Sequence, residues 1–186
     1  MLYPHQKALI SFLSNNQKVL LDGQLGSGKN FAVCNYLINQ GVENIIICQK
    51  HMVYFIQNQI TQQGGESTAI QDFSNIDDLK GILIVNNSLK NLKYISENID
   101  LIDNLYVHYP KIAEENKTYR ELKKITDKSK KVCFSLGNLY SNWRQNQNAL
   151  KLMGIIENNP NDVINSSYLF YLKTPEEIKN WPNNFR

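Results

Sequence analysis

A hydrophobic run that leads directly into a glycine-rich turn decides the fold: KVLLDGQLGSGK, residues 18–29. The run from Val19 to Leu21 is short and aliphatic, as a strand buried on both faces requires. Behind it, Gly23, Gly28 and Lys29 have the spacing G-x-x-x-x-G-K. In that spacing backbone N–H groups surround a phosphate, the glycines leave room for it, and the lysine adds a positive charge. The stretch therefore predicts a strand, a phosphate-binding loop and a helix.

The same alternation of strand and helix patterns continues on both sides of the loop. Helical spacing of apolar residues occurs at 2–13, 31–38, 52–60, 89–95 and 119–125. Strand runs whose centres are apolar, without polar alternation, occur at 44–48, 81–85, 105–107 and 131–135. Runs without polar alternation are typical of a sheet covered on both faces, and strand-helix-strand order favours parallel strands joined by right-handed crossovers. We predict a three-layer α/β domain with a mainly parallel central sheet.

Composition limits the class of protein. The chain has 186 residues, a length typical of one domain, and a formal net charge of +3, too small to indicate a nucleic-acid partner by itself. Three cysteines without metal-ligand spacing fit small buried residues in a reducing cytoplasm. No apolar run is long enough to cross a membrane, and the first residues do not resemble a signal peptide, so we expect a cytoplasmic protein. The 25 asparagines against 3 arginines indicate AT-rich codon usage and suggest a phage or other mobile element.

The loop predicts a site for ATP or another nucleotide, with one unusual residue. Its members are Gly23, Gln24, Leu25, Gly26, Ser27, Gly28, Lys29 and Asn30. A loop that works in hydrolysis has serine or threonine after the lysine, and its hydroxyl ligates Mg²⁺. Asn30 stands at that position. We therefore expect phosphate binding with weak or no magnesium binding.

With the loop placed, the chain resembles the first RecA-like lobe of superfamily 2 helicases, and most closely the Swi/Snf-type DNA translocases. The matching segments are Leu2 to Ala8 before motif I, Leu21 to Lys29 as motif I, Ile46 to Lys50 as motif Ia, Val85 to Leu89 as motif Ib, Lys117 to Leu122 after the DEAH box, and Tyr171 to Ile178 with Trp181 and Pro182 as the exit toward lobe 2. The resemblance implies that Gln6 contacts adenine. It also implies a core over 1–158 and an exit segment over 159–186 that would lead to a second lobe, which this sequence lacks.

The departures from the family concern catalysis. Its Walker B strand ends in Asp-Glu, which hold the magnesium water shell and orient the attacking water. Ending the corresponding strand at Val107 puts His108 and Tyr109 at those positions, whereas a gap-free count from the following helix puts Tyr106 and Val107 there. A third candidate pair is Asp103 with Asn104.

Two further departures affect the same reaction. The third motif reads Ser135-Leu136-Gly137-Asn138 and keeps the family's serine and little else. The arginine finger, worth about 10³ to 10⁵ in rate, belongs to the second lobe. We expect neither catalytic residues nor efficient ATP hydrolysis in this chain alone.

The family contacts the DNA backbone at the edge of the sheet that holds the loop. The matching positions are Gln49, Lys50, Asn86, Asn87, Ser88 and Lys90. Such side chains suit phosphate contacts without base reading, and they equally fit ordinary polar loops in an asparagine-rich chain. Residues 111–131 carry eight lysines or arginines against four acidic residues, which fits either weak DNA binding or a solvated helix.

Three functional hypotheses follow. The first is a degenerate helicase lobe that acts by binding a nucleotide phosphate, DNA or a partner protein, without hydrolysis. The second is lobe 1 of a split or truncated helicase, whose partner is a separate second lobe. The third is an interaction protein that regulates another helicase or nuclease.

Overall fold

A computed structural model describes residues 2–23, 26–41, 43–73, 79–110, 112, 116–137, 143–157, 159–164 and 166–172. In this part of the chain, seven strands form one sheet in which every pairing is parallel. In chain order they are β1 (Lys18–Gly23), β2 (Asn44–Cys48), β3 (Ser67–Ile70), β4 (Ile82–Asn86), β5 (Ile102–His108), β6 (Ser129–Leu136) and β7 (Leu169–Leu172). Their order across the sheet is β3-β4-β2-β5-β6-β1-β7. The predicted α/β fold with a parallel central sheet is confirmed.

Helices connect the strands. They are α1 (Pro4–Asn15), α2 (Lys29–Ile38), α3 (Val53–Gln62), α4 (Leu89–Asn98), α5 (Lys117–Asp127), α6 (Trp143–Leu152) and α7 (Pro160–Ile164), with a 3₁₀ turn at Lys50–Met52. Local chemistry explains several of their starts. Proline occupies the first turn of α1, and the side chains of Ser88 and Asn116 accept hydrogen bonds from the first turns of α4 and α5.

Side chains of the strands alternate between two apolar layers. Leu20, Ile45 and Ile47 belong to the layer that also contains buried residues of α4, α5 and α6. Leu21 and Ile46 belong to the opposite layer, with buried residues of α1, α2 and α3. Both faces of the sheet are therefore covered, which is why its strands read as continuous apolar runs.

The sheet includes two strands that the sequence patterns did not predict. β3 is a short edge strand, and β7 pairs with β1 in the register Leu20 to Leu169 and Leu21 to Phe170. Val163 of α7 is fully buried. Strand pairing within the sheet thus continues to residue 172, inside the segment 159–186 that was expected to follow the core. Residues 173–186, the rest of the expected exit segment, lie outside the described residues.

The three cysteines lie in one of the apolar layers of the fold. Cys34, Cys48 and Cys133 are buried and unpaired, as expected of small core residues. Burial raises the pKa of the Cys34 and Cys48 thiols to about 12. Among the described residues, no helix is both long and apolar enough to span a bilayer.

A buried polar cluster joins three elements at the amino end of the sheet. The Asn104 amide nitrogen donates to the Asn44 side-chain oxygen over 2.8 Å, and the Tyr36 hydroxyl donates to the Asn104 oxygen over 3.3 Å. Asn44 in turn donates to the Leu37 carbonyl over 3.1 Å. Because each amide is almost fully buried, these bonds tie β2, β5 and α2 together.

Removal of this cluster is expected to destabilise the fold. Asn104→Ala leaves the Asn44 oxygen without a donor and the Tyr36 hydroxyl proton without an acceptor, so we expect the free energy of unfolding to fall by about 1–3 kcal/mol. Urea denaturation measures the loss. The control is Asn98→Ala, at an exposed position of α4. Its free energy of unfolding should lie within about 0.5 kcal/mol of the wild-type value. Equal effects of the two changes would contradict the assignment.

Candidate phosphate-binding site

The carboxyl ends of the parallel strands meet at one edge of the sheet, where a cleft of about 650 Å³ opens beside the glycine-rich loop. The cleft is lined by Gly26, Ser27, Gly28, Lys29, Asn30, Phe31, Gln49, His51, Met52, Phe55, Gln59, His108 and Tyr109. These residues include a lysine and two histidines and no carboxylate. The cleft therefore suits an anionic ligand.

The described part of the loop has the backbone that glycine allows. Gly26 and Gly28 have φ angles of 84° and 73°, in the left-handed region, and α2 begins directly after Gly28 at Lys29. A Cβ atom on Gly28 would lie 2.3 Å from the Gln6 side-chain nitrogen. Both the left-handed backbone and this close approach therefore favour glycine at position 28. Gln24 and Leu25, also predicted for the site, lie outside the described residues.

The Gln6 amide holds the loop from the start of α1. Its oxygen accepts from the Tyr3 backbone N–H over 2.9 Å, and its nitrogen donates to the Gly28 carbonyl over 3.3 Å. The side chain is only 5% exposed. The structure thus places Gln6 as a support of the loop, with both polar ends of its amide already bonded to protein, whereas the resemblance implied an adenine contact.

Lys29 lies buried at the start of α2. Its ammonium donates to the Gly23 carbonyl over 2.8 Å and to the Tyr109 hydroxyl over 3.0 Å, and it lies 5.1 Å from the centre of the Tyr109 ring. Burial lowers the pKa of Lys29 to about 8, and the negative charge of Asp22 opposes this shift. The lysine is therefore mostly charged at neutral pH, and protein groups now occupy part of its donor capacity.

Asn30 and two side chains of β5 form a hydrogen-bonded group next to the lysine. The Tyr106 hydroxyl donates to the Asn30 oxygen over 2.9 Å, and the Asn30 nitrogen lies 3.2 Å from His108 Nε2. Tyr106 and His108 are two residues apart on a strand, so they face the same side of the sheet. The residue after the lysine therefore bonds to the end of β5 through neutral groups.

His108 is held in its neutral form. Burial lowers the pKa of His108 to about 4, with smaller contributions in the same direction from the charges of Lys29 and His51. With Nε2 facing the Asn30 amide nitrogen, Nε2 acts as the acceptor and Nδ1 carries the proton. Nδ1 is buried without a hydrogen-bond partner in the described part of the chain.

Tyr109 adopts a strained backbone that brings its ring over Lys29. Its φ angle is 49°, a conformation that costs a non-glycine residue about 1–3 kcal/mol. Its N–H donates to the Ser135 carbonyl over 3.0 Å, and a Cβ on Gly137 would lie 2.6 Å from its ring. Gly137, in the segment that corresponds to the third motif, therefore makes room for the tyrosine.

The three candidate pairs for the Walker B position lie at different places on β5. His108 and Tyr109 lie at the carboxyl end of β5 against Asn30 and Lys29. Val107 packs in the opposite apolar layer, so the register Tyr106–Val107 brings only its tyrosine to the site. Asp103 lies near the start of β5, at the other edge, and pairs with Lys130 over 2.6 Å. The pair Asp103–Asn104 is thus excluded as a replacement for the carboxylates.

The donor set does not fit the magnesium ion that a phosphate loop usually holds. Mg²⁺ prefers carboxylate oxygens together with water and phosphate oxygens. Among the described residues, the side chains bonded to Lys29 and Asn30 include a phenol and an imidazole, and a single carboxylate, that of Asp22, lies near enough to act on Lys29. No group of three or more histidine, cysteine or acidic side chains capable of metal binding occurs among the described residues. We therefore assign no metal-dependent step to this cleft.

The residues expected to contact DNA follow two neighbouring strands, β2 and β4, and they differ in exposure and in partners. Gln49 lines the cleft and Lys50 is exposed beside it. Asn86 is buried, donates to the Gln71 carbonyl over 2.7 Å and accepts from the Ser88 N–H. Asn87 is half-buried, Ser88 caps α4, and Lys90 pairs with Asp72 over 2.8 Å. The side chains of Asn86 and Ser88 therefore stabilise the turn before α4.

The basic segment is largely paired within the fold. Lys123 and Lys124 on α5 pair with Asp127 and Glu121. Lys128 donates to the carbonyls of Ser96 and Ile99, and Lys130 pairs with Asp103. These contacts favour a solvated helix face over a DNA-binding patch.

Sequence reasoning missed three features of the site. Asp22 is 5% exposed and acts electrostatically on both Lys29 and Tyr109. The hydrogen bond from the Tyr106 hydroxyl to Asn30 is the second, because the sequence placed Tyr106 only as a stand-in for the Walker B aspartate in one alternative register. Phe55 and Gln59 of α3 extend the cleft away from the loop, and their helical spacing of four residues was the one available signal.

No family model and no curated protein matches this chain. Among solved structures, the large terminase from a thermophilic bacteriophage has a TM-score of 0.56 and 11% identity over 97% of this chain and 48% of its own. The C-terminal domain of S. cerevisiae Dbp5 bound to Gle1 and IP6 has a TM-score of 0.52 and 12% identity over 88% of this chain and 94% of its own. The chain thus spans about half of the terminase. At these identities the likeness shows the fold, and the described chain has a RecA-like α/β arrangement.

Proposed function

We propose that this chain is a degenerate helicase-like P-loop domain that binds the phosphates of a nucleotide and does not hydrolyse it efficiently by itself. One observation carries the proposal. The side chain after the loop lysine, Asn30, is bonded to Tyr106 and His108 at the place where a hydrolytic site holds its metal ligands. The domain would then act as a binding module.

Phosphate binding is supported by the charges and donors that face the cleft. The Lys29 ammonium lies at the start of α2, whose N-terminal end favours anions. Ser27 is 3% exposed, and its hydroxyl has no partner among the described residues. A phosphate oxygen beside the loop would accept from the Ser27 hydroxyl, and it would compete with the Tyr109 hydroxyl for the Lys29 ammonium.

Efficient hydrolysis also needs a general base that can accept a proton at neutral pH. A general base works best when its pKa is near the ambient pH. His108 is hydrogen-bonded to Asn30, and its lowered pKa of about 4 makes it a weak base at neutral pH. Tyr109, whose pKa is raised by burial, is a weak acid. Neither group replaces the carboxylate that orients water in active relatives.

We also propose a family of origin and a biological setting for this domain. The order of the matched segments supports the first lobe of a Swi/Snf-like helicase from a phage or mobile element as the ancestor of this domain. The phage terminase among the similar structures agrees with that setting. The domain's place in DNA metabolism rests on this resemblance.

A calorimetric titration tests the proposal. We expect ATP to bind with the same affinity, within about threefold, in EDTA and in excess Mg²⁺. Lys29→Ala should weaken binding by roughly 10- to 150-fold, because it removes charge-assisted hydrogen bonds. Lys93→Ala, an exposed lysine on α4, is the control and should bind like wild type.

Turnover provides the opposing result. Steady-state release of phosphate that requires Mg²⁺ and disappears in Lys29→Ala would refute a non-hydrolysing site. Absence of ATP binding under both conditions would refute the phosphate site itself.

The lowered pKa of Lys29 predicts how binding changes with pH. Only the charged lysine attracts phosphate, and the charged fraction falls toward tenfold per pH unit above about pH 8. ATP affinity should therefore decline between about pH 8 and 9.5, a range in which the terminal phosphate is already fully ionised. Lys29→Ala should bind weakly and without this decline. Constant wild-type affinity across that range would contradict the argument.

The neutral state of His108 predicts an acid-sensitive fold. Between about pH 6.5 and pH 4 the unfolded chain binds a proton that the folded chain does not, so the free energy of unfolding falls as the pH is lowered. The full loss is about 3 kcal/mol. His108→Gln should remove this component in urea denaturation at acidic and neutral pH, whereas the exposed His51→Gln should retain it. Identical pH profiles of wild type and His108→Gln would show that the histidine is not held neutral.

A further inference from the structure

The cleft continues past the phosphate loop toward α3, and this extension has the chemistry of a base-binding pocket. Phe55 projects from α3 and is 50% exposed, although it is a large apolar ring. Met52 and Phe31 provide further apolar surface along the same cleft, and Gln49 and Gln59 provide amides. Flat apolar surface with a few polar groups is what a nucleotide base requires.

A second observation in the extension points to a ligand. The side-chain oxygen of Gln59 is buried and has no hydrogen-bond partner among the described residues. A buried acceptor without a partner costs about 1–3 kcal/mol unless a ligand or water supplies a donor. It lies four residues from Phe55 on α3, so the ring and the amide are neighbours on one helix face.

The other end of the loop offers less to a base. There the Gln6 amide is bonded at both ends to Tyr3 and Gly28 and is 5% exposed. Reading adenine with this side chain would break the bond that holds Gly28. The free surface and the orphan acceptor both lie on the α3 side.

We propose that the base of the bound nucleotide stacks on Phe55, on the α3 side of the cleft, while its phosphates lie at Ser27 and Lys29. This inference rests on the proposed phosphate site and adds to it the position of the base. The ligand is a nucleotide of any base with an aromatic face, since stacking needs no particular edge. The Gln59 oxygen favours a base that carries an exocyclic amino group.

The test compares ATP with inorganic triphosphate in calorimetric titrations of the whole chain. ATP should bind more tightly than triphosphate to the wild type. Phe55→Ala should weaken ATP by about 5- to 150-fold and leave triphosphate affinity unchanged. The control is Tyr54→Ala, which removes the neighbouring ring of α3, 57% exposed and outside the cleft lining, and should change neither ligand.

A second variant gives a direct readout of stacking. Phe55→Trp retains an aromatic ring, so it should bind ATP like wild type, and ATP should quench its added fluorescence while triphosphate does not. The same titration performed on Tyr54→Trp should show no quenching.

The outcomes separate the two proposals. Triphosphate binding that persists while Phe55→Ala leaves ATP affinity unchanged would overturn the base position alone. Equal wild-type affinity for ATP and triphosphate would do the same. Failure of both ligands to bind a folded wild type would overturn the phosphate site and the base position together.

Discussion

Burial of the sheet on both faces is the constraint that fixes where polar chemistry can occur in this chain. Side chains such as Leu20 and Leu21 enter opposite apolar layers, which leaves only the strand ends for charged or ligand-binding groups. At the amino end, the side chains of Asn44 and Asn104 bond to each other and link β2 to β5. At the carboxyl end, the loop, Lys29 and the end of β5 surround an open cleft. The two edges therefore have different roles, one structural and one suited to a ligand.

The fold could be predicted where each strand carried its own signal. In the strand at 44–48 the residues from Ile45 to Cys48 are all apolar because they are buried on both faces, and the sequence pattern identified the strand directly. The strand at 67–70 is an edge strand with three half-buried residues, so its apolar signal is weak. The strand at 169–172 lies at the opposite edge, beyond β1, where only one neighbouring strand is present. Edge strands bury less, and apolar periodicity reports burial.

The site could be predicted only in its local part. The glycines and Lys29 are recognisable because their function depends on a fixed spacing within one turn. The contact of Asn30 with His108 joins residues 78 positions apart, and no spacing rule relates them. Tyr109 reaches Lys29 through a left-handed backbone that a tyrosine rarely adopts, so no propensity indicates it. Gln6 was assigned to adenine by resemblance, whereas its helix position also makes it the residue that caps α1 and supports Gly28.

The replacements around the loop form a consistent set, and this consistency argues for a retained ligand. An aspartate at position 108, facing Asn30, would be a buried negative charge without a metal ion to balance it. The neutral His108 avoids that cost. The Asn30 amide instead finds an acceptor in His108 and a donor in Tyr106, so the group is neutral and bonded. Lys29 stays buried and mostly charged near the Asp22 carboxylate, and the described residues that line the cleft include no carboxylate. A buried ammonium is costly without nearby negative charge, and Asp22 supplies part of it here. A phosphate in the cleft would be a second anion for the same ammonium, and the group that it would displace is the hydroxyl of the strained Tyr109.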